Sequence, residues 1–157
     1  MFFALFFFMR LFLIIISCTF IFIILYLSWM PEPRISTVWF VPTWLGAWAD
    51  ENVNDNIRTA VPFAFLGIIT SLCLLRVKAP SINLWCSAFQ WLILLAILAE
   101  TGQLFIPHRS FDLMDIAWAA AGSLAGLIIP ALPLLLTLLV RFTKKKMSPR
   151  EQTNLFE

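Results

Sequence analysis

Between Leu98 and Gly126 the chain reads LAETGQLFIPHRSFDLMDIAWAAAGSLAG, and five of its side chains can do chemistry: Glu100, Gln103, Arg109, Asp112 and Asp115. Carboxylates held in poorly hydrated surroundings can differ in pKa, as acid/base work requires, so Glu100 and Asp115 are the catalytic candidates. The planar guanidinium of Arg109 can grip a phosphate or carboxylate with two hydrogen bonds. Gln103 lies three residues after Glu100 and shares its face if the helix runs that far, where it can orient a ligand. Asp112 is a further ligand-binding candidate and, equally, a cap for the unpaired N–H groups of a helix starting near it. His108 is the single histidine, and no second ligand accompanies it at metal spacing, so neither a metal nor another cofactor is expected. No nucleophile marks the stretch. Binding therefore ranks above catalysis, and enzymatic activity is left undecided.

The elements that must position these groups are membrane helices. Of the 157 residues, 61% are hydrophobic and 13% charged, and the mean hydropathy is +0.90. Soluble domains carry about twice that share of charge. Apolar runs of ~20 residues, long enough to cross about 30 Å of hydrocarbon, place spans at about 11–30, 59–75, 82–104 and 113–140. The expected fold is an all-α membrane protein, a single domain over 1–157 built as a four-helix transmembrane bundle. The first run is too long for a signal-peptide core and lacks a small-x-small cleavage pattern, so it reads as a retained helix.

Orientation follows from the cations. With the N-terminus inside, Arg10, Arg76, Lys78, Arg141, Lys144, Lys145, Lys146 and Arg150 fall on the inner side, and only Arg34, Arg58 and Arg109 on the outer. Both termini are then cytoplasmic, the basic tail 141–157 holds the C-terminus inside, and the polar stretch lies on the outer face. The outer loop 31–58 is rich in tryptophan up to Trp48. It reads as an interfacial anchor, with Trp44 and Trp48 as the wall of a groove in the alternative. Cys18, Cys73 and Cys86 fall in spans without a CxxC pair and read as small packing residues. No internal repeat of the transporter kind is visible.

Asp115, Ala119, Gly122 and Gly126 follow at spacings of four, three and four, which sets a carboxylate above a strip of small residues on one helix face. Such a strip admits a close neighbour. The third span, joined by the short connection around Pro107, is the expected one. Their close packing would fold Glu100, Gln103, Arg109 and Asp115 into one pocket.

These residues carry a resemblance. The pattern Glu100-x-x-Gln103, then Arg109, Asp112 and Asp115, then Gly122 and Gly126, resembles the signature of the VanZ-like family of small bacterial membrane proteins. Asn56, Pro62 and Gly67 in NIRTAVPFAFLG resemble that family's second-helix motif, so the likeness runs from about Asn56 to Gly126. Two positions depart from it: Ala119 stands where the family often has an asparagine, and Ala64, then Gly67, where a glycine follows the proline more closely. The family's namesake is associated with low-level resistance to the glycopeptide teicoplanin. The resemblance thus implies a bacterial cell-envelope setting, in the cytoplasmic membrane, and not a particular reaction.

Two functions are expected from different classes. In the first, the outer-face site binds, and in an extended form processes, an anionic lipid or lipid-linked cell-wall glycan precursor. In the second, the polar motif is a non-enzymatic lock that fixes helix register or docks a membrane complex. The expected partners are membrane lipids and a phosphate-bearing lipid or glycan precursor, with no nucleic acid. A channel ranks last, because polar groups confined to one end do not line a path across the bilayer.

Overall fold

The computed structural model describes residues 2–32, 34–77, 81–107 and 109–147. It contains five α-helices: α1 (Phe2–Ser28), α2 (Thr43–Ala49), α3 (Asp55–Leu74), α4 (Ile82–Gln103) and α5 (Leu113–Met147), with 3-10 turns at Ile35–Thr37 and Asn52–Asn54. There is no strand among the described residues. The helices α1, α3, α4 and α5 are long and apolar enough to cross a membrane, which makes this a multi-pass membrane protein. At 1.5 Å per residue, the 22 residues of α4 reach about 33 Å, close to the hydrocarbon thickness. Large apolar side chains such as Phe12, Phe22, Trp91 and Ile129 are exposed around the bundle, as lipid-facing residues are.

Three of the four long helices overrun the expected spans at one end, while α4 matches its span within a residue. Helix α1 starts at Phe2 and passes Arg10, α3 starts four residues ahead of Thr59, and α5 continues beyond 140 to Met147. Arginine and lysine are good helix formers, so the edge of the hydrocarbon does not end a helix. Pro62, Pro130 and Pro133 are accommodated inside helices, as membrane helices allow. Lys78, His108 and Arg150 lie outside the described residues, as do the side chains of Arg10, Asn56, Arg141 and of Lys144 to Lys146.

Helices α1 and α4 end where α3 and α5 begin, and this shared end of the bundle is the loop end. The tightest pairing is between α3 and α5, which run parallel. A Cβ on Gly122 would overlap the Ala60 carbonyl oxygen, one on Gly126 the Ala64 carbonyl oxygen, and one on Gly67 would stand 2.6 Å from the Ser123 carbonyl oxygen. Ser71 Oγ donates to the Leu127 carbonyl, 2.9 Å, across the same seam. This corrects one expectation, because the small-residue strip of the fourth span packs on the second span and not on the third. A short connection brings α4 near α5, but backbone contact requires small residues on both partners. Ala60, Ala64, Gly67 and Ser71 supply them on α3, at the same spacings of four, three and four.

Around that seam the core collects Ile24 of α1, Phe63, Leu66 and Leu74 of α3, Leu92 and Ala96 of α4, and Ala119 and Leu127 of α5. Helix α1 is peripheral and ties to α4 at the loop end. Ser28 Oγ and Trp29 Nε1 both donate to the Ala99 carbonyl, at 3.1 and 3.0 Å. The Trp29 indole lies over Gly102, where a Cβ would overlap it. Cys18 and Cys86, expected to pack internally, are instead exposed on their helices, and Cys73 is half-buried.

Candidate functional site

A cavity of about 110 Å³ opens at the loop end between α1, α3, α4 and α5. Its apolar floor includes Ile24, Phe63, Ala96 and Ala119, and its polar lining includes Arg58, Thr59, Glu100, Gln103, Arg109 and Asp115. Four of the residues singled out from the sequence thus meet around one space, although the close pair behind the cavity is α3 with α5.

Each polar residue is held by a different element. Glu100 and Gln103 lie on one face of the last turn of α4, and both are buried, at 5% and 7% exposed. Burial of this kind requires hydrogen-bond partners. Gln103 Nε2 donates to Glu100 Oε1 at 2.8 Å and to Ser28 Oγ at 3.1 Å. The Asp112 backbone N–H donates to Glu100 Oε2 at 3.2 Å. The hydrogen bonds to Glu100 therefore come from neutral donors.

Arg109, in the connection between α4 and α5, donates through Nε and Nη2 to the Met30 carbonyl, both at 3.2 Å. That carbonyl lies just past the end of α1. Burial, and next to it the charge of Arg58, draw the Arg109 guanidinium below its usual pKa, with Glu100 and Asp115 pulling the other way. An arginine stays protonated under such a shift. Asp115, in the first turn of α5, accepts from Thr59 Oγ1 of α3 at 3.0 Å. A carboxylate there also suits the positive end of the α5 dipole.

Asp112 takes the capping position. Its Oδ1 accepts the Met114 N–H at 2.8 Å, its side chain is exposed, and it is not part of the cavity lining. Its contribution to the cavity is the backbone N–H given to Glu100. Gly122 and Gly126 lie along the α3–α5 seam. Pro62 of the second-helix motif borders the cavity, where it cannot donate to the Arg58 carbonyl one turn back.

Arg58, Thr59 and Ile35 are among the cavity residues that escaped the reading of the sequence. Arg58 counted only as an outer-side cation, Thr59 only as the start of a span, and Ile35 as loop. A signal for the first two was present, since both stand near the start of α3, level with the polar stretch across the bundle. Ile35 reaches the cavity through a folded loop. Asp50, which follows α2, accepts the Ile35 and Ser36 N–H groups at 2.7 and 3.0 Å, and Gly46 of α2 approaches Ser36 so closely that a Cβ would stand 2.6 Å from its Cα. Burial of Asp50 is outweighed by the hydrogen bonds from Ser36 and Ile35, so its carboxyl is held below the ordinary 3.8. Trp39 and Trp44 are exposed on this loop, and neither Trp44 nor Trp48 lines the cavity.

The arrangement offers guanidinium donors, two carboxylates, an amide and hydroxyls around a space of about 110 Å³, which suits recognition of a small charged group. No group of three or more metal-ligating side chains occurs among the described residues. No protein-family model, curated protein or solved structure matches the chain.

Proposed function

We propose that the protein is a bacterial cell-envelope protein of the cytoplasmic membrane, with both termini inside, whose loop-end cavity faces the outer leaflet. There it binds the phosphate-bearing head of an anionic lipid or lipid-linked cell-wall glycan precursor. One observation carries this reading: Arg58 and Arg109 border a cavity at the end of the apolar spans, the level of lipid head groups. Guanidinium groups bind phosphate oxygens by charge-assisted hydrogen bonds, and Arg109 has given only its Nε and Nη2 to the Met30 carbonyl. The eight inner against three outer cations support the orientation. The resemblance to VanZ-like proteins supports the envelope setting and the link to glycopeptide resistance.

The test is mass spectrometry of lipids retained by the purified protein. Arg109→Ala is expected to lower retained phospholipid about tenfold or more, the effect of losing one charge-assisted contact, while the protein accumulates normally. An unchanged lipid complement in that variant would sink the reading.

A second reading has its own support. Gln103 to Ser28, Arg109 to Met30 and Asp112 to Glu100 tie α1, α4 and the α5 entry together, as a structural lock or a docking subunit would. Loss of membrane accumulation in both Arg109→Ala and Glu100→Gln supports the lock.

A further inference from the structure

Resting on the phosphate-head-group part of that reading, and replacing its net anionic lipid with a net neutral one, we infer that the head group taken by the cavity is a small zwitterion, a phosphate ester with a primary ammonium a few bonds away, as in phosphoethanolamine. Three observations lead there.

The first is charge. The lining pairs two guanidinium groups, Arg58 and Arg109, with two carboxylates, Glu100 and Asp115. A purely anionic head drawn in by the arginines meets both carboxylates at short range in a medium that screens them poorly, and like charges so placed repel strongly. A ligand carrying both signs is complementary to both halves of the lining.

The second is the state of Glu100. It is 5% exposed, yet its hydrogen bonds come from the Gln103 amide and the Asp112 N–H. A carboxylate has room for about four hydrogen bonds, and a buried charge is costly unless it is both hydrogen-bonded and paired. An ammonium with N–H donors supplies that pairing. A quaternary ammonium has no N–H to give and is ordinarily held by a cage of aromatic faces. Phe63 is the one aromatic ring among the lining residues described, so the cavity fits a primary amine and not choline.

The third is size. One water needs roughly 10–15 Å³ of such space, so about 110 Å³ admits roughly seven to eleven water-sized groups. Phosphoethanolamine has about that many non-hydrogen atoms. A lipid-linked sugar with its peptide is several times larger and would leave its glycan outside, which favours a small head group over the precursor.

The experiment uses the full chain, purified and equilibrated with vesicles holding equal amounts of phosphatidylethanolamine, its N-methyl, N,N-dimethyl and N,N,N-trimethyl derivatives, and phosphatidylglycerol. Retained lipid is counted by mass spectrometry after repurification. The expected result is phosphatidylethanolamine favoured about tenfold over both phosphatidylglycerol and the trimethylated lipid, with retention falling along the methyl series as N–H donors are lost. Glu100→Gln, nearly isosteric, brings the preference over phosphatidylglycerol close to one, read as the ratio of the two lipids retained. Equal retention of all five lipids by the unaltered protein overturns the inference without recourse to any variant, as does a Glu100→Gln protein that keeps the preference. If lipid is retained through Arg109 but phosphatidylglycerol wins, the zwitterion fails and the lipid reading stands. If Arg109→Ala retains what the unaltered protein does, the lipid reading itself fails. A parallel arm adds soluble glycerophosphoethanolamine: displacement of bound lipid supports the head-group chemistry, and binding of the soluble compound with no lipid retained supports that chemistry while overturning the membrane source.

Discussion

The α3–α5 seam and the α1–α4 contact are built by opposite rules. Along α3–α5, glycine and alanine bring backbone against backbone and Ser71 adds a hydrogen bond, from Ala60 to Ser71 on α3 and from Gly122 to Leu127 on α5. Helix α1 meets α4 through hydrogen bonds at one end, where Ser28 and Trp29 reach the Ala99 carbonyl. Below that clamp the helices part, and an apolar groove of about 510 Å³ runs over Leu66 and Thr70 of α3 between Ile21 of α1 and Leu95 of α4. Lipid tails are as apolar as leucine, so such a groove costs little in a bilayer, whereas a gap in the tight seam forfeits the dispersion contacts that drive helix association there. The lesson is a division of labour: the tight pair sets Thr59 and Asp115 in a fixed relation, and the looser side leaves the space the polar residues share.

The sharpest way to break this distinction is to place the same side chain on both sides. Gly126→Leu drives a side chain into the Ala64 carbonyl and is expected to cost about 3 kcal/mol, the upper range for overpacking, read as lost membrane accumulation and an unfolding midpoint shifted in detergent. Ala88→Leu, which fills part of the groove, is expected to cost under about 1 kcal/mol. Equal costs would erase the difference between the seams.

Next in size is the clamp. Gly102→Ala displaces the Trp29 indole, removing its hydrogen bond to Ala99, with an expected loss of about 1–2 kcal/mol. Trp29 should become open to a membrane-impermeant fluorescence quencher while the α3–α5 pair stays intact, as read by a disulfide engineered across that pair. Normal shielding of Trp29 would show that the clamp does not depend on the close approach.

The loop beside the loose side gives a smaller, local effect. Because the Asp50 carboxyl is held below its ordinary 3.8 in the folded loop, its stabilisation is complete above that value and is lost as pH falls through the lower folded value. Hydrogen exchange of the Ile35 and Ser36 amides should therefore be unaffected between pH 5 and 8 beyond the intrinsic rate, and lose protection below about pH 3.8. Asp50→Asn should remove most of that acid dependence. Protection that persists in acid would separate the loop from Asp50.

The finest contrast lies within the tight seam. Ser71→Ala loses the bond to the Leu127 carbonyl and should cost about 0.6 kcal/mol, the average for such bonds in membranes. Ser123, equally buried, has an Oγ without a partner among the described residues. Ser123→Ala should therefore be neutral or stabilising by up to about 1 kcal/mol. A Ser123→Ala protein less stable than Ser71→Ala would contradict this assignment of the two hydroxyls.

Much of the membrane-spanning architecture was legible in the sequence, because run length and polarity are what a bilayer selects. The convergence of Glu100, Gln103, Arg109 and Asp115 was legible too, since polar groups beside long apolar runs have few places to go. What was missed is pairing. The four-three-four strip from Asp115 was read on α5 alone, and the matching strip Ala60, Ala64, Gly67 and Ser71 lay unread on α3. A connection length speaks for neighbours in sequence, while close contact is decided by two faces that no local pattern links. Arg58 and Thr59 went unread for the same reason, their role depending on which helix stands opposite. Ile35 depends on a loop folded by Asp50 and Gly46, and no periodicity announces that.

The parallel α3–α5 pair has a consequence for biosynthesis. Gly67 finds its partner Gly126 only after 126 − 67 = 59 further residues have been made, with α4 passing in the opposite direction between them. At roughly 5–20 residues per second, the small-residue face of α3 waits roughly 3–12 s for its partner. During that interval the nascent chain holds α1, α3 and α4 without the helix that completes the cavity wall. Thr59 then lies without Asp115, its acceptor, and Glu100 without the Asp112 N–H. Helix α5, made after the other three, therefore installs the packing and the polar site together, and truncation ahead of Gly126 would leave an inserted but unassembled chain for quality-control proteases to recognise.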